Sequence, residues 1–318
     1  MRSLELLRSR FITRTPLVLS HLVTSLCNAR CKICDLWKKS TEYKGDLSKD
    51  NIIDMLEEAR KAGITDYVLW GGEPLLRRDL PEILKVSKAY GFSTTIITNG
   101  FLLREKYKDI IPYTDNLVVS IDADDSLHDE MRGLKGVLGR AIEGIELFKG
   151  TKTRILINSV ISNMNLNKID GLMELSKRLN VPITFEPIML NESNKPLIPT
   201  DEELKAVISK IVSYKKSGYR VFNSFQYLNI LLEDKKYVCH FPKIFITVDA
   251  HGNISSCLNK NWGNVKEDAF RDVFKSREFK SFCRETEKCN QCIASCPIES
   301  SLVYEFNPFV TLQKIRSL

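Results

Sequence analysis

Short apolar runs and amphipathic stretches alternate along most of the chain, and the pattern predicts strand followed by helix six times over. Strands are expected over 17–23, 67–70, 93–98, 117–121, 155–161 and 183–187, with helices from Ser48 to the residue before Gly63 and over 80–90, 102–111, 137–148, 168–179 and 201–215. Ser48 is a candidate N-cap before Ile52, Leu56 and Ala59 at helical spacing, and Gly63 a stop signal. Leu138, Ile142 and Ile145 share one helical face, while 93–98 is rich in β-branched residues. Buried strands alternating with helices of this length call for the α/β class, a parallel sheet with helices outside. Chemistry in such folds gathers at the C-terminal ends of the strands.

The alternation stops near 218–236, where cysteines return, so three parts are expected. These are a basic amphipathic segment over 1–16, the strand-helix region over 17–217, and a cysteine-rich hairpin-plus-helix module over 218–318. In the first part Leu4, Leu7 and Phe11 stand against Arg2, Arg8, Arg10 and Arg14, a pattern that suits a helix on the domain edge or peripheral contact with an anionic membrane. With 318 residues, 43% of them hydrophobic, the chain has enough apolar material for a sizeable core. No apolar run reaches the ~18 residues of a bilayer span, and the first residues lack the order of a signal peptide, so a cytoplasmic protein is expected. The net charge of +7 is spread over many lysines without an aromatic-interleaved basic block, which argues against nucleic acid as a partner. Nine cysteines in such a chain point to metal ligation rather than disulfides.

Cys27, Cys31 and Cys34 form a Cys-x3-Cys-x2-Cys pattern just after the first strand, and the next cysteine is Cys239. Three thiolates so closely spaced hold three corners of a four-iron cluster and leave one iron open to a small molecule. A structural zinc site needs four protein ligands, and the nearest histidine, His21, precedes the trio on the apolar strand. Electron-transfer clusters normally take four cysteines. Three cysteines acting as small buried hydrophobes fit poorly with Asn28, Arg30, Lys32 and Asp35 set among them.

The stretch CNARCKIC resembles the cluster motif of the radical S-adenosylmethionine (radical SAM) superfamily, with Ile33 where that family usually carries an aromatic residue. The resemblance implies a partial (β/α)6 barrel with parallel strands. It also implies a 4Fe-4S cluster whose open iron binds S-adenosylmethionine, and an external one-electron donor such as ferredoxin or flavodoxin. Trp70-Gly71-Gly72-Glu73-Pro74 follows the second strand; two glycines permit close backbone approach to a ligand and Glu73 adds a carboxylate. It resembles the family's GGE motif, in which Gly71, Gly72 and Glu73 would hold the amino group of the cofactor and Pro74 would shape the turn. Polar groups at the next strand ends, Asn99, Ser120, Asp122 and the lesser candidate Asn158, suit its ribose and carboxylate. Arg132 is read either as a contact to cofactor or substrate or as a solvated side chain.

Downstream, Cys239 and Cys257 bracket an apolar run and a turn over 249–253, a hairpin with a cysteine at each base, followed by Cys283, Cys289, Cys292 and Cys296. The Cys-x12-Gly-x4-Cys spacing resembles the opening of SPASM and twitch modules, which carry auxiliary iron-sulfur clusters. One auxiliary 4Fe-4S cluster is expected, on Cys239, Cys257, Cys289 and Cys292 with Cys296 as the substitute and Cys283 as a spare. Zinc is the competing metal for the same thiols. The expected enzyme abstracts hydrogen from a small-molecule or lipid substrate, with a peptide maturase as the alternative and a noncatalytic zinc or electron-carrier scaffold as the reading of another class. His251, Glu186 and Asp249 are equal candidates for a general base.

Overall fold

The computed structural model describes residues 9–39, 45–191, 193–257, 260–289 and 291–305. The six expected strands are present as β1 (Val18–Thr24), β2 (Asp66–Gly71), β3 (Ser93–Thr98), β4 (Asn116–Ser120), β5 (Arg154–Ile161) and β6 (Ile183–Pro187). Each pairs in parallel with its sequence neighbour. The helices between them cover one face. Ser48 accepts from the Asn51 N–H at the start of helix Lys49–Ala62, and Gly63 ends it at φ 99°.

Residues alternate across each strand. Leu19, Tyr67, Leu69, Ile96, Leu117, Val119 and Ile157 are buried in one core with Ile52, Leu56, Ile83 and Ile145 of the helices. The other face lines the lumen, where Val68, Trp70, Ile97 and Val160 are only half-buried. The C-terminal helix Ser295–Tyr304 closes the lower end of this lumen, with Val303 and Tyr304 packed on Val18, Val68 and Phe245.

The expected hairpin is formed by β7 (Phe245–Val248) and β8 (Asn253–Ser255), followed by β9 (Asn261–Asn264). It is not a separate layer. β7 pairs in parallel with β1, Val18 opposite Phe245 and His21 opposite Val248, so one nine-stranded sheet runs β6-β5-β4-β3-β2-β1-β7-β8-β9. An open partial barrel leaves β1 with an unpaired edge, and the hairpin satisfies it.

Helices Ser126–Arg132, Phe225–Glu233 and Arg277–Glu285 lie outside the predicted series. Each starts at a side-chain cap, from Asp125, Ser224 and Ser276 respectively. Of the expected amphipathic segment, 1–8 lies outside the described residues. Ser9–Thr13 is a single π-helical turn, and the Arg10 guanidinium donates to the Tyr304 carbonyl and sits 5.2 Å from that ring's centre. Among the described residues no helix is long and apolar enough to cross a membrane.

Candidate active site

The loop after β1 is fastened on two sides. Toward β2, the Gly72 N–H donates to the Thr24 carbonyl at 2.9 Å and the Glu73 N–H to the Leu26 carbonyl at 2.7 Å. The approach is so close that a Cβ on Gly72 would lie 1.9 Å from the Leu26 oxygen, which explains why glycine stands there. Toward helix Ser126–Arg132, the Arg30 N–H donates to the Arg132 carbonyl at 3.0 Å and the Lys32 N–H to the Met131 carbonyl at 2.9 Å. From a third direction, Asn191 and Asn194 both donate to the Ile33 carbonyl at 3.2 Å. The cysteine-bearing loop is therefore set by backbone hydrogen bonds on two sides and by two asparagine side chains on a third.

Cys27, Cys31 and Cys34 line a cleft of about 780 Å³ at the C-terminal ends of the strands. Burial pushes the Cys27 thiol up to about 11, and the neighbouring Cys31, Glu73 and Cys34 add to the rise. Burial also raises Cys31, with the Arg132 guanidinium working against it. A metal that displaces these protons would gain three thiolates on one wall, a donor set that fits three corners of an iron-sulfur cluster.

Gly71, Gly72, Glu73, Asn99 and Ser120 share the same cleft, as the sequence predicts. The Glu73 carboxylate is buried and accepts from Leu75 N–H at 3.1 Å, Thr98 hydroxyl at 2.7 Å and Asn99 N–H at 2.9 Å. Burial raises its pKa in spite of these donors. Asn99 in turn donates from its side chain to Asn28 at 2.8 Å, joining the third strand end to the cysteine loop. Thr98, next to Asn99 at the end of β3, also lines the cleft and was not among the expected contacts.

Three predicted cofactor contacts do not reach the wall. Asp122 lies fully buried beyond the end of β4; one carboxylate oxygen accepts from the Val160 N–H at 2.9 Å and the other is 2.7 Å from Arg132. Asn158 sits two residues before Val160 on the same strand face, deeper in the lumen, and Val160 takes the wall position. Pro74 is buried in the turn behind Glu73. Arg132 is the reverse case: it is 9% exposed, lines the cleft, pairs with Asp122 and lies beside Cys31, which rules out the solvated reading. Of the general-base candidates, Glu186 alone is on the wall. Asp249 is spent on the hairpin turn, accepting from the His251 and Asn253 N–H groups at 2.9 Å, and His251 is exposed.

A second group of thiols lies in the C-terminal part. Burial pushes Cys257 up to about 12, and Cys239, Cys289 and Cys292 are the neighbours that add to it. Cys292 rises for the same reasons, burial first, then Cys239 and Cys289. Cys296, the expected substitute, is exposed on the first turn of helix Ser295–Tyr304. Cys283 is buried beside Lys243, Glu287 and Arg284. Among the described residues, no three His, Cys, Asp or Glu side chains are gathered tightly enough to hold a single ion.

Residues 22–176 match the sequence model of the Radical SAM superfamily, and residues 190–314 match a domain of unknown function, DUF3463. The AdoMet-dependent heme synthase of Methanosarcina barkeri is 25% identical over 313 residues, covering 88% of this chain and 89% of that protein. Streptococcus suis SuiB bound to S-adenosylmethionine has a similar structure, with a TM-score of 0.70 at 16% identity over 85% of this chain and 68% of that one. Native anSMEcpe with bound AdoMet gives a TM-score of 0.70 at 16% identity, covering 94% and 100%. At such identities the solved structures speak for the fold alone. Sequence match, mostly parallel barrel sheet and thiol-lined cleft converge: residues 22–176 form a radical SAM domain, of the superfamily that binds S-adenosylmethionine and a 4Fe-4S cluster.

Proposed function

We propose that this enzyme reductively cleaves S-adenosylmethionine at the cleft and removes a hydrogen atom from a substrate C–H bond there, with an auxiliary 4Fe-4S cluster supporting an oxidation or bond-forming step. The observation that carries the reading is one cleft wall holding Cys27, Cys31 and Cys34 against the Gly71-Gly72-Glu73 turn. When bound, the cluster would supply one electron for reductive cleavage of the sulfonium. The chain's task is to hold and exclude. Cys27, Cys31 and Cys34 are the proposed cluster ligands. Gly71 and Gly72 offer backbone at close range, and buried Glu73 locks the second and third strand ends together. Asn99 and Ser120 remain the proposed polar cofactor contacts, and Arg132 brings a buried positive charge to the Cys31 side.

Cys239, Cys257, Cys289 and Cys292 are the proposed ligands of the auxiliary cluster. Their burial and mutual proximity support this, and zinc is the alternative that metal analysis separates. Away from the cofactor residues the cleft wall is largely apolar, with Ile97, Val160 and Ile188, and Met189 and Leu190 are exposed at it. This favours a small apolar molecule or lipid as substrate; a peptide is the second candidate, since the structure of SuiB bound to its precursor peptide has the same fold. A ferredoxin or flavodoxin is the proposed electron donor. Exposed Phe11 and Ile12 between Arg10 and Arg14 support peripheral membrane contact within the same proposal.

Anaerobically reconstituted protein incubated with dithionite and S-adenosylmethionine should yield 5'-deoxyadenosine and methionine, and Cys31→Ala should yield neither. Iron-loaded wild type that leaves the cofactor intact would sink the proposal. It would favour the electron-carrier reading.

A further inference from the structure

Glu186, near the C-terminal end of β6, belongs to two neighbourhoods at once. Its side chain is part of the cleft wall. One carboxylate oxygen accepts the Ser295 N–H at 2.8 Å, and the other accepts the Ser295 hydroxyl. Ser295 opens helix Ser295–Tyr304, and Ala294 before it has no side chain to cap that helix. A helix start left open exposes unsatisfied backbone donors. Here a carboxylate from a strand 109 positions earlier takes the place of the missing cap and complements the helix dipole.

The helix capped in this way directly follows the Cys289 and Cys292 loop. Further bonds tie the same region to the rest of the chain, among them Tyr227 hydroxyl to Ile293 carbonyl at 2.9 Å, Tyr237 hydroxyl to Cys292 carbonyl at 3.4 Å, Ser224 N–H to Glu299 at 2.6 Å, and His240 N–H to Ser301 hydroxyl at 2.8 Å. None of those residues lines the cleft, and Glu186 does. The Glu186 to Ser295 link is thus where the wall of the first site and the ligand loop of the second meet.

We propose that Glu186 is a positioning residue that fixes the second thiol site relative to the radical cleft by capping helix Ser295–Tyr304 from the cleft wall. The proposal rests on the two-cluster reading above. Its consequence is that loosening this one link lets the second site move while the first stays intact.

Ser295→Pro removes both donors and leaves Glu186 in place. Proline is well suited to the first position of a helix, and Ala294 already has the extended ψ of 144° that a following proline requires. Glu186→Ala removes the cap, whereas Glu186→Gln keeps an acceptor for the Ser295 N–H. In the metal-loaded chain, amide hydrogen exchange in the helix should be about tenfold faster in Glu186→Ala and Ser295→Pro and within about threefold of wild type in Glu186→Gln. Magnetic coupling between the two reduced clusters, read by electron paramagnetic resonance, should be broadened in the first two variants and retained in the third. A purely local cap would speed exchange without altering the coupling. Wild type with about eight irons and coupling unchanged in both Glu186→Ala and Ser295→Pro overturns this proposal alone. About four irons in wild type removes the two-cluster reading and this proposal with it.

Discussion

The two thiol sites are built in opposite ways. Cys27, Cys31 and Cys34 come from one loop, held on both sides by backbone hydrogen bonds that it accepts from Gly72 and Glu73 and donates to Arg132 and Met131. Cys239, Cys257 and the loop with Cys289 and Cys292 come from three separate segments, which the packing of the hairpin against β1 and of helix Ser295–Tyr304 on Val18 and Phe245 helps bring together. The first is a local motif resting on strand ends. The second is a product of tertiary structure, so the two should fail under different perturbations.

The sharpest break is chemical. Alanine at Cys27 or Cys34 should reduce cofactor cleavage below detection while the thiols of the second site keep their metal, as iron counting and 5'-deoxyadenosine assay would show. Alanine at Cys257 should do the reverse. It should release about half of the iron and leave cofactor cleavage within about threefold, because the two sets of thiols share no residue. If both functions fell together in either variant, the separation of the sites would be wrong.

Arg132→Met sharpens the comparison from the stability side. It would leave the buried Asp122 carboxylate uncompensated, at a cost of about 3–5 kcal/mol in urea unfolding, and adding Asp122→Asn should recover much of the loss. Iron retention should drop at the first site, whose loop hangs on that helix. A wider perturbation acts through β1, the strand that leads into the Cys27 loop and pairs with the hairpin. His21 is fully buried, bonded through Nδ1 to the Tyr67 hydroxyl at 2.7 Å, and burial lowers its pKa from 6.5 to about 3. Because the unfolded chain binds the proton first, this stability is complete above 6.5 and is lost as pH falls from there toward 3. The slope is about 1.4 kcal/mol per pH unit at most. His21→Gln should flatten that window in unfolding curves of the metal-free protein, and acid should loosen both sites together.

What the sequence revealed follows the same division. Strands such as Ile183–Pro187 and helices such as Val137–Phe148 were legible because their periodicity is local, and the thiol trio and glycine turn because their spacing is short. The helix carrying Arg132 has only two turns and was missed, although Asp125 stands at its cap position. Asp122 and Asn158 were assigned to the cleft because they stand at or near strand ends, whereas a residue's height along the barrel depends on inter-strand register that composition does not encode. Cys292 and Cys296 are nearly equivalent in spacing; the start of helix Ser295–Tyr304 separates them. The pairing of β7 with β1 and the reach of Glu186 to Ser295 join residues far apart in the chain, and no local pattern announces either.

The most direct test of a cleft with an open metal corner is electron paramagnetic resonance of the anaerobically reconstituted, reduced protein, recorded with and without S-adenosylmethionine alongside iron and zinc analysis. The account predicts about eight irons per chain, little zinc, and a change in one of two cluster signals when the cofactor is added. Stoichiometric zinc, or iron signals indifferent to the cofactor, would contradict it.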